Sequence, residues 1–98
     1  MKYVAYHQLA AKELIESASF YEQRREFLGE EFLEEVDLAV EAILKNPNFG
    51  RFGKSNTLSQ RMKRFPFRII YRVQPERIWI VAVAHLARMP GYWANRVQ

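Results

Sequence analysis

Apolar positions recur along the chain with two different periods, and the switch falls near residue 47. Residues 2–6 (Lys-Tyr-Val-Ala-Tyr) are short and β-prone, which predicts a first strand. From about Gln8 to Arg24, Ala11, Leu14, Ala18 and Tyr21 recur at steps of three and four and form one helical stripe. Glu13, Glu16 and Glu22 lie off it. A break is expected near Phe27-Leu28-Gly29. A second helix follows from about Glu30 to Lys45, with Phe32, Val36, Ala39, Val40 and Ile43 as its buried stripe. Acids in its first turns and Lys45 at its end suit the helix dipole, and Asn46-Pro47 stops it. The short connection favours an antiparallel helix pair.

Residues 47–57 read as a mobile loop, rich in Gly and small polar residues and carrying Arg51 and Lys54. Beyond it the period falls to two. Strands are expected at about 58–64, 67–73 and 77–85, separated by Pro66 and by Gln74-Pro75-Glu76. The tail, 86–98, reads as a short helix or turn around Pro90-Gly91. Side chains alternate faces along a strand, so turn length sets which residues meet. A turn of two or four residues at Phe65-Pro66 sets Lys63 opposite Arg68, Arg61 opposite Ile70 and Ser59 opposite Arg72. A turn centred on Pro75-Glu76 sets Arg72 opposite Trp79, Ile70 opposite Val81 and Arg68 opposite Val83. One face is then Leu58, Met62, Phe67, Ile69, Tyr71, Val73, Ile78, Ile80, Ala82 and Ala84, ready for the helices. The other is basic with apolar ribs: Arg61, Lys63, Arg68, Ile70, Arg72, Trp79, Val81, Val83 and His85. The expectation is one α+β domain over residues 1–98, an N-terminal strand and a helix hairpin packed on an antiparallel meander.

Charge sharpens this division. The 98 residues have a formal net charge of +4. Residues 1–46 carry five basic and ten acidic side chains, whereas 47–98 carry ten basic and only Glu76 as an acid. The second half is therefore anion-seeking. Like charges set opposite one another destabilise a sheet, a cost relieved when an anion or an acidic partner meets the face. The alternative is a solvated face that keeps the sheet soluble. With no cysteine, disulfides, thiolate catalysis and Cys-based metal sites are excluded, and a reducing compartment such as the cytoplasm is suited. The longest apolar run, Ile78 to Ala84, is too short to span a bilayer, and Met1 to His7 holds no signal-peptide core. No membrane role is expected.

Few residues could carry chemistry. His85, at the end of the last strand, is either an acid/base group or a structural strand-end histidine. Arg61, Arg68 and Arg88 stay protonated, so they can hold a phosphate but not serve as bases. The basic half lacks a second carboxylate, and His7 has no ligand spacing, so neither a paired-carboxylate hydrolase nor a metal site is expected. No phosphate-cradling Gly-rich loop and no nucleophile elbow is present. Tyr92-Trp93 can stack on bases or pack the tail against the domain. A plain nucleic-acid-binding domain is a third possibility, for which the chain offers no recognition helix.

One longer pattern runs through nearly the whole chain. An acidic helix hairpin ends in Asn46-Pro47. It is followed by Arg64-Phe65-Pro66-Phe67-Arg68-Ile69-Ile70-Tyr71-Arg72-Val73, then Ile78-Trp79-Ile80-Val81-Ala82-Val83-Ala84-His85, then Arg88-Met89-Pro90-Gly91-Tyr92-Trp93. This resembles the RelE/ParE superfamily of bacterial type II toxins, with a tail like that of plasmid-stabilisation members. The resemblance implies a small α+β toxin held inactive by a cognate antitoxin. It also implies one of two activities. RelE-like members cut mRNA on the ribosome, without metal or other cofactor. ParE-like members poison DNA gyrase and need no catalytic residues. For the first, Arg61 and Arg68 would position the phosphate, Arg88 would offset transition-state charge, and His85 with Tyr92 would move protons. Lys63 and Arg72 would extend the RNA-binding face. A lysine pair of RelE-like members appears on the strand at 58–64 as Ser59 and Arg61. Ribosomal mRNA cleavage is the first expectation and gyrase inhibition the alternative.

Overall fold

A computed structural model describes residues 2–97. The order is β1 (Tyr3–Tyr6), α1 (Gln8–Arg24), α2 (Leu28–Lys45), β2 (Arg51–Phe52), β3 (Leu58–Arg61), β4 (Phe67–Val73) and β5 (Arg77–His85), ending in a 3₁₀ turn at Ala94–Val97. The sheet order is β1-β5-β4-β3-β2. Three neighbouring pairs are antiparallel, and β1 lies parallel to β5. The sheet is therefore mixed, because α1 and α2 lie between β1 and the meander in sequence and carry the chain back across the layer.

The helix hairpin is held by caps that its own neighbours supply. Nδ1 of His7 accepts from the Leu9 N–H at 3.0 Å and starts α1. The carboxylate of Glu22, on α1, accepts from the N–H groups of Phe27 and Gly29, both at 3.0 Å. One acid thus satisfies two donors at the start of α2 that would otherwise lack partners. Phe27 takes the left-handed conformation (φ 68°) that reverses the chain, so α2 begins at Leu28, slightly before the expected Glu30. Gly29 permits the close approach: a Cβ there would lie 2.5 Å from the Ala18 carbonyl oxygen.

Phe32, Val36, Ala39 and Ile43 of α2 meet Phe67, Ile69, Tyr71, Ile78 and Ile80 in the main core. Tyr21, Phe32, Phe65 and Phe67 form an aromatic group, with Phe32 5.2 Å from Phe65 and 5.0 Å from Phe67 in edge-to-face contact. A second, smaller core lies on the other face of the sheet. There Ile70, Val81, Ala82 and Ala84 are covered by Trp93 and Val97 of the tail.

A bulge corrects the expected register of β5. The pairs Val73–Ile78, Arg72–Trp79 and Tyr71–Ile80 fall as expected, but Ile70 then pairs with Ala82, leaving Val81 unpaired. An extra residue on one strand reverses the faces beyond it. Ala82 and Ala84 therefore lie under the tail rather than the helices, Val83 joins the helix-side core, and His85 pairs with Phe67.

Strand β3 also differs, ending at Arg61 rather than 64. The Arg61 guanidinium folds back onto the carbonyls of Met62 and Phe65 and closes the turn. Lys63 sits in that turn instead of opposite Arg68, and Arg61 itself opposes Arg68. The expected loop at 47–57 is largely built: β2 pairs with β3, the Tyr71 hydroxyl donates to the Pro47 carbonyl at 2.8 Å, and Arg72 donates to the Ser55 carbonyl. Among the described residues no helix is long and apolar enough to cross a membrane.

Gly29→Ala should push α1 and α2 apart and lower stability by about 1–3 kcal/mol. A lower urea midpoint with an unchanged slope would confirm that the cost is one of packing.

Candidate functional site

Beyond Ile80 the edge of β5 is open, because β1 ends at Tyr6, opposite Ile80. Two side chains take the place of the missing strand. Oε1 of Glu13, reaching round from α1, accepts from the Val83 N–H at 3.0 Å. Nη1 of Arg96, from the tail, donates to the Val81 carbonyl at 3.0 Å. The two then bind each other: Arg96 Nη1 to Oε1 at 3.0 Å and Nη2 to Oε2 at 2.9 Å. The Tyr92 hydroxyl donates to Oε2 at 2.7 Å, and Arg88 stands 3.9 Å away. The Glu13 and Arg96 side chains are 13% and 9% exposed, so this pair is nearly dry.

Burial alone would raise the Glu13 carboxyl. The hydrogen bonds from Arg96, Tyr92 and the Val83 N–H outweigh it and hold the group below its ordinary range. Tyr92 moves the other way. Burial, and then donation to a charged carboxylate, raise its phenol far above the usual value and keep it protonated. The Arg88 guanidinium carbon lies 3.8 Å from the centroid of the Tyr92 ring, which fixes where that charge stands.

Beside this cluster the outer face of the sheet opens into a cleft of about 280 Å³. Its apolar floor includes Ile70, Ala84 and Trp93, and its cations are Arg51, Lys54, Arg68 and Arg88. Among the described residues no carboxylate lines it. His85 stands at the rim, with its ring edge against Phe67 at 5.0 Å and its Nδ1 accepting the Ala87 N–H at 2.9 Å. The imidazole thus also closes the turn after β5. Gly91, at φ 79°, adopts a conformation that suits glycine, and the Lys54 side chain lies across it, 3.6 Å at Nζ from where a Cβ would stand.

Four residues named from the sequence, Arg68, His85, Arg88 and Tyr92, therefore line one cleft. Three others do not. Arg61 and Lys63 border a separate groove between α2 and β3, and Arg72 is bound to Ser55. His85 does not share the outer face with Arg68; the bulge turns its side chain to the helix side, and it reaches the cleft only from the strand end. No local sequence pattern links Glu13 to Arg96, and in the sequence Arg51 and Lys54 stand out only as loop charges. One signal did exist. Glu13 falls one helical turn from both Ala10 and Ser17, at the edge of the buried stripe, where an acid needs a partner. Among the described residues no three His, Asp or Glu side chains converge as a metal site would need.

Residues 4–90 match a family described as ParE toxin of type II toxin-antitoxin system, parDE. The fold is similar to a solved chain of the chromosomal ParDE TA system from P. aeruginosa, with a TM-score of 0.66 and 22% identity over 88% of this chain and 97% of that one. No curated protein matches the chain by sequence.

Glu13→Gln should cost about 3 kcal/mol, since it leaves the Arg96 charge nearly buried without a counter-ion. The sign of the pH dependence follows from the lowered Glu13 pKa. The carboxylate stabilises the fold above its unfolded value of about 4.3, and this contribution is lost as pH falls through the lower folded value. The stability gap between wild type and Glu13→Gln should be full near neutrality and close in acid, as measured by urea unfolding at a series of pH values.

Proposed function

The chain belongs to the ParE toxin family of type II toxin-antitoxin systems, and on that premise we propose that it arrests growth by binding DNA gyrase and is neutralised by a cognate antitoxin. The observation that carries this reading is the Tyr92 hydroxyl. RNA cleavage by 2′-hydroxyl attack needs one group to take a proton and another to give one. The Tyr92 proton is committed to Glu13 and its pKa is raised, so among the described residues the cleft retains only His85 and Lys54 as side chains that could carry a proton. Arg61, expected to grip a phosphate, is spent on its own turn. A protein that works by binding needs none of these groups, and the action of such a toxin lies in the cytoplasm. Carried on a plasmid, such a pair would stabilise the plasmid's inheritance.

A second reading, cleavage of ribosome-bound mRNA, draws on a different observation: Arg68, Arg88 and His85 share one cleft that no carboxylate of the described residues lines. There the arginines would hold the phosphate and His85 would act as acid or base.

The two readings separate on induction in bacteria, with protein synthesis and DNA integrity followed in parallel. Gyrase binding predicts DNA breaks and a damage response while translation continues at first, and His85→Ala should leave the arrest intact. Early loss of translation with intact DNA, abolished by His85→Ala through a fall of roughly 10²–10⁴-fold in cleavage, would establish the nuclease instead.

A further inference from the structure

The turn between the two helices carries a side chain that the fold does not need. Phe27 stands at φ 68°, in the left-handed region that glycine and asparagine adopt readily and where a bulky residue is strained. It is also the N-cap of α2, a position that favours Asn, Asp or Ser, and its side chain caps nothing. Glu22 meets the free donors there instead. The Phe27 ring is 57% exposed and, among the described residues, belongs to neither hydrophobic core. Both local rules ask for asparagine, so the reason for a phenylalanine lies outside the fold.

We propose that Phe27 is the aromatic anchor by which the toxin grips its target protein, the ring entering an apolar pocket with a cationic rim. This rests on the gyrase reading above and adds to it the contact surface and the chemistry of the partner.

Preorganisation is the first ground. The Phe27 N–H is held by Glu22 at 3.0 Å, and the Phe27 carbonyl accepts the Glu31 N–H at 3.1 Å. The backbone on both sides of the ring is fixed, so little freedom remains to be lost when a partner closes on it. Rigid aromatic side chains are also the ones that carry most of the energy of protein interfaces.

Charge is the second ground. Glu26 precedes Phe27, and Glu30 lies in the first turn of α2, both exposed. Among the described residues neither carboxylate forms an ion pair. The nearby cations are engaged elsewhere: Arg25 and Arg64 both bind Glu31, and Arg24 lies over the Phe20 ring. The free charge beside Phe27 is therefore negative and complements a cationic rim. An enzyme that handles DNA presents such cations, because it must neutralise phosphates. Phe49 is more exposed still, at 87%, but its backbone carries no such strain, and it serves as the control.

The test measures inhibition of gyrase supercoiling by the purified full chain, with urea unfolding of every variant. Phe27→Asn should weaken inhibition about tenfold or more, while its unfolding midpoint stays at or above that of wild type. Phe27→Tyr, which keeps the ring, should inhibit within about threefold of wild type, and Phe49→Asn should inhibit as wild type does. Glu26→Gln with Glu30→Gln should weaken inhibition at low salt more than at high salt. Full inhibition by Phe27→Asn, an equal loss in Phe49→Asn, or a lower unfolding midpoint for Phe27→Asn would each overturn the proposal while leaving the gyrase reading in place. A wild type that does not inhibit gyrase would overturn both.

Discussion

The placing of the tail depends on the carboxylate of Glu13. Strand β5 runs beyond its parallel neighbour β1, so backbone groups at Val81 and Val83 face a gap in the sheet. Leaving such groups unpaired and buried would cost on the order of 1–3 kcal/mol each. Glu13 and Arg96 meet this need from opposite directions, one from the first helix and one from the last turn, and their mutual ion pair closes the gap. Burying two charges is itself costly, and is offset because each oxygen of Glu13 receives its own donors. Trp93 and Val97 then cover the outer core, and Arg88 and Tyr92 become one wall of the cleft.

This contact also explains the charge segregation. The acids of α2 remain solvated, and Glu31 pairs at the surface with Arg25 and Arg64. Such pairs contribute little because water competes for both partners. Glu31 meets the basic half only at Arg64 on the surface, whereas Glu13 reaches the cleft side of the sheet. Among the described residues the cleft cations Arg51, Lys54 and Arg68 therefore keep their charge unmatched, which is what a site for an anion requires.

Much of this was legible in the residues. The two periods of apolar positions placed both helices and three of the five strands, and Arg68, His85, Arg88 and Tyr92 do share a cleft. The errors have physical causes. The alternation of β5 looks the same with or without a bulge, since Val81, Ala82, Val83 and Ala84 are all small and apolar and suit either face. That ambiguity misplaced His85. The length of β3 was overestimated because nothing in the sequence shows Arg61 folding back onto its own turn. Strand β2 has only two residues and exists through its partner β3, with no period of its own. Glu13 and Arg96 are 83 residues apart, and no local pattern links them.

The most direct measurement is Tyr92→Phe in purified form, assayed for inhibition of gyrase supercoiling and for cleavage of mRNA on translating ribosomes. The substitution removes the hydroxyl and keeps the ring beneath Arg88. If Tyr92 serves only to hold the tail to Glu13, the variant should inhibit gyrase within about twofold of wild type once the loss in stability is allowed for, and neither protein should cut mRNA. Cleavage by the wild type that Tyr92→Phe reduces a hundredfold or more would contradict this, because it would mean that the phenol gives up its proton in spite of Glu13.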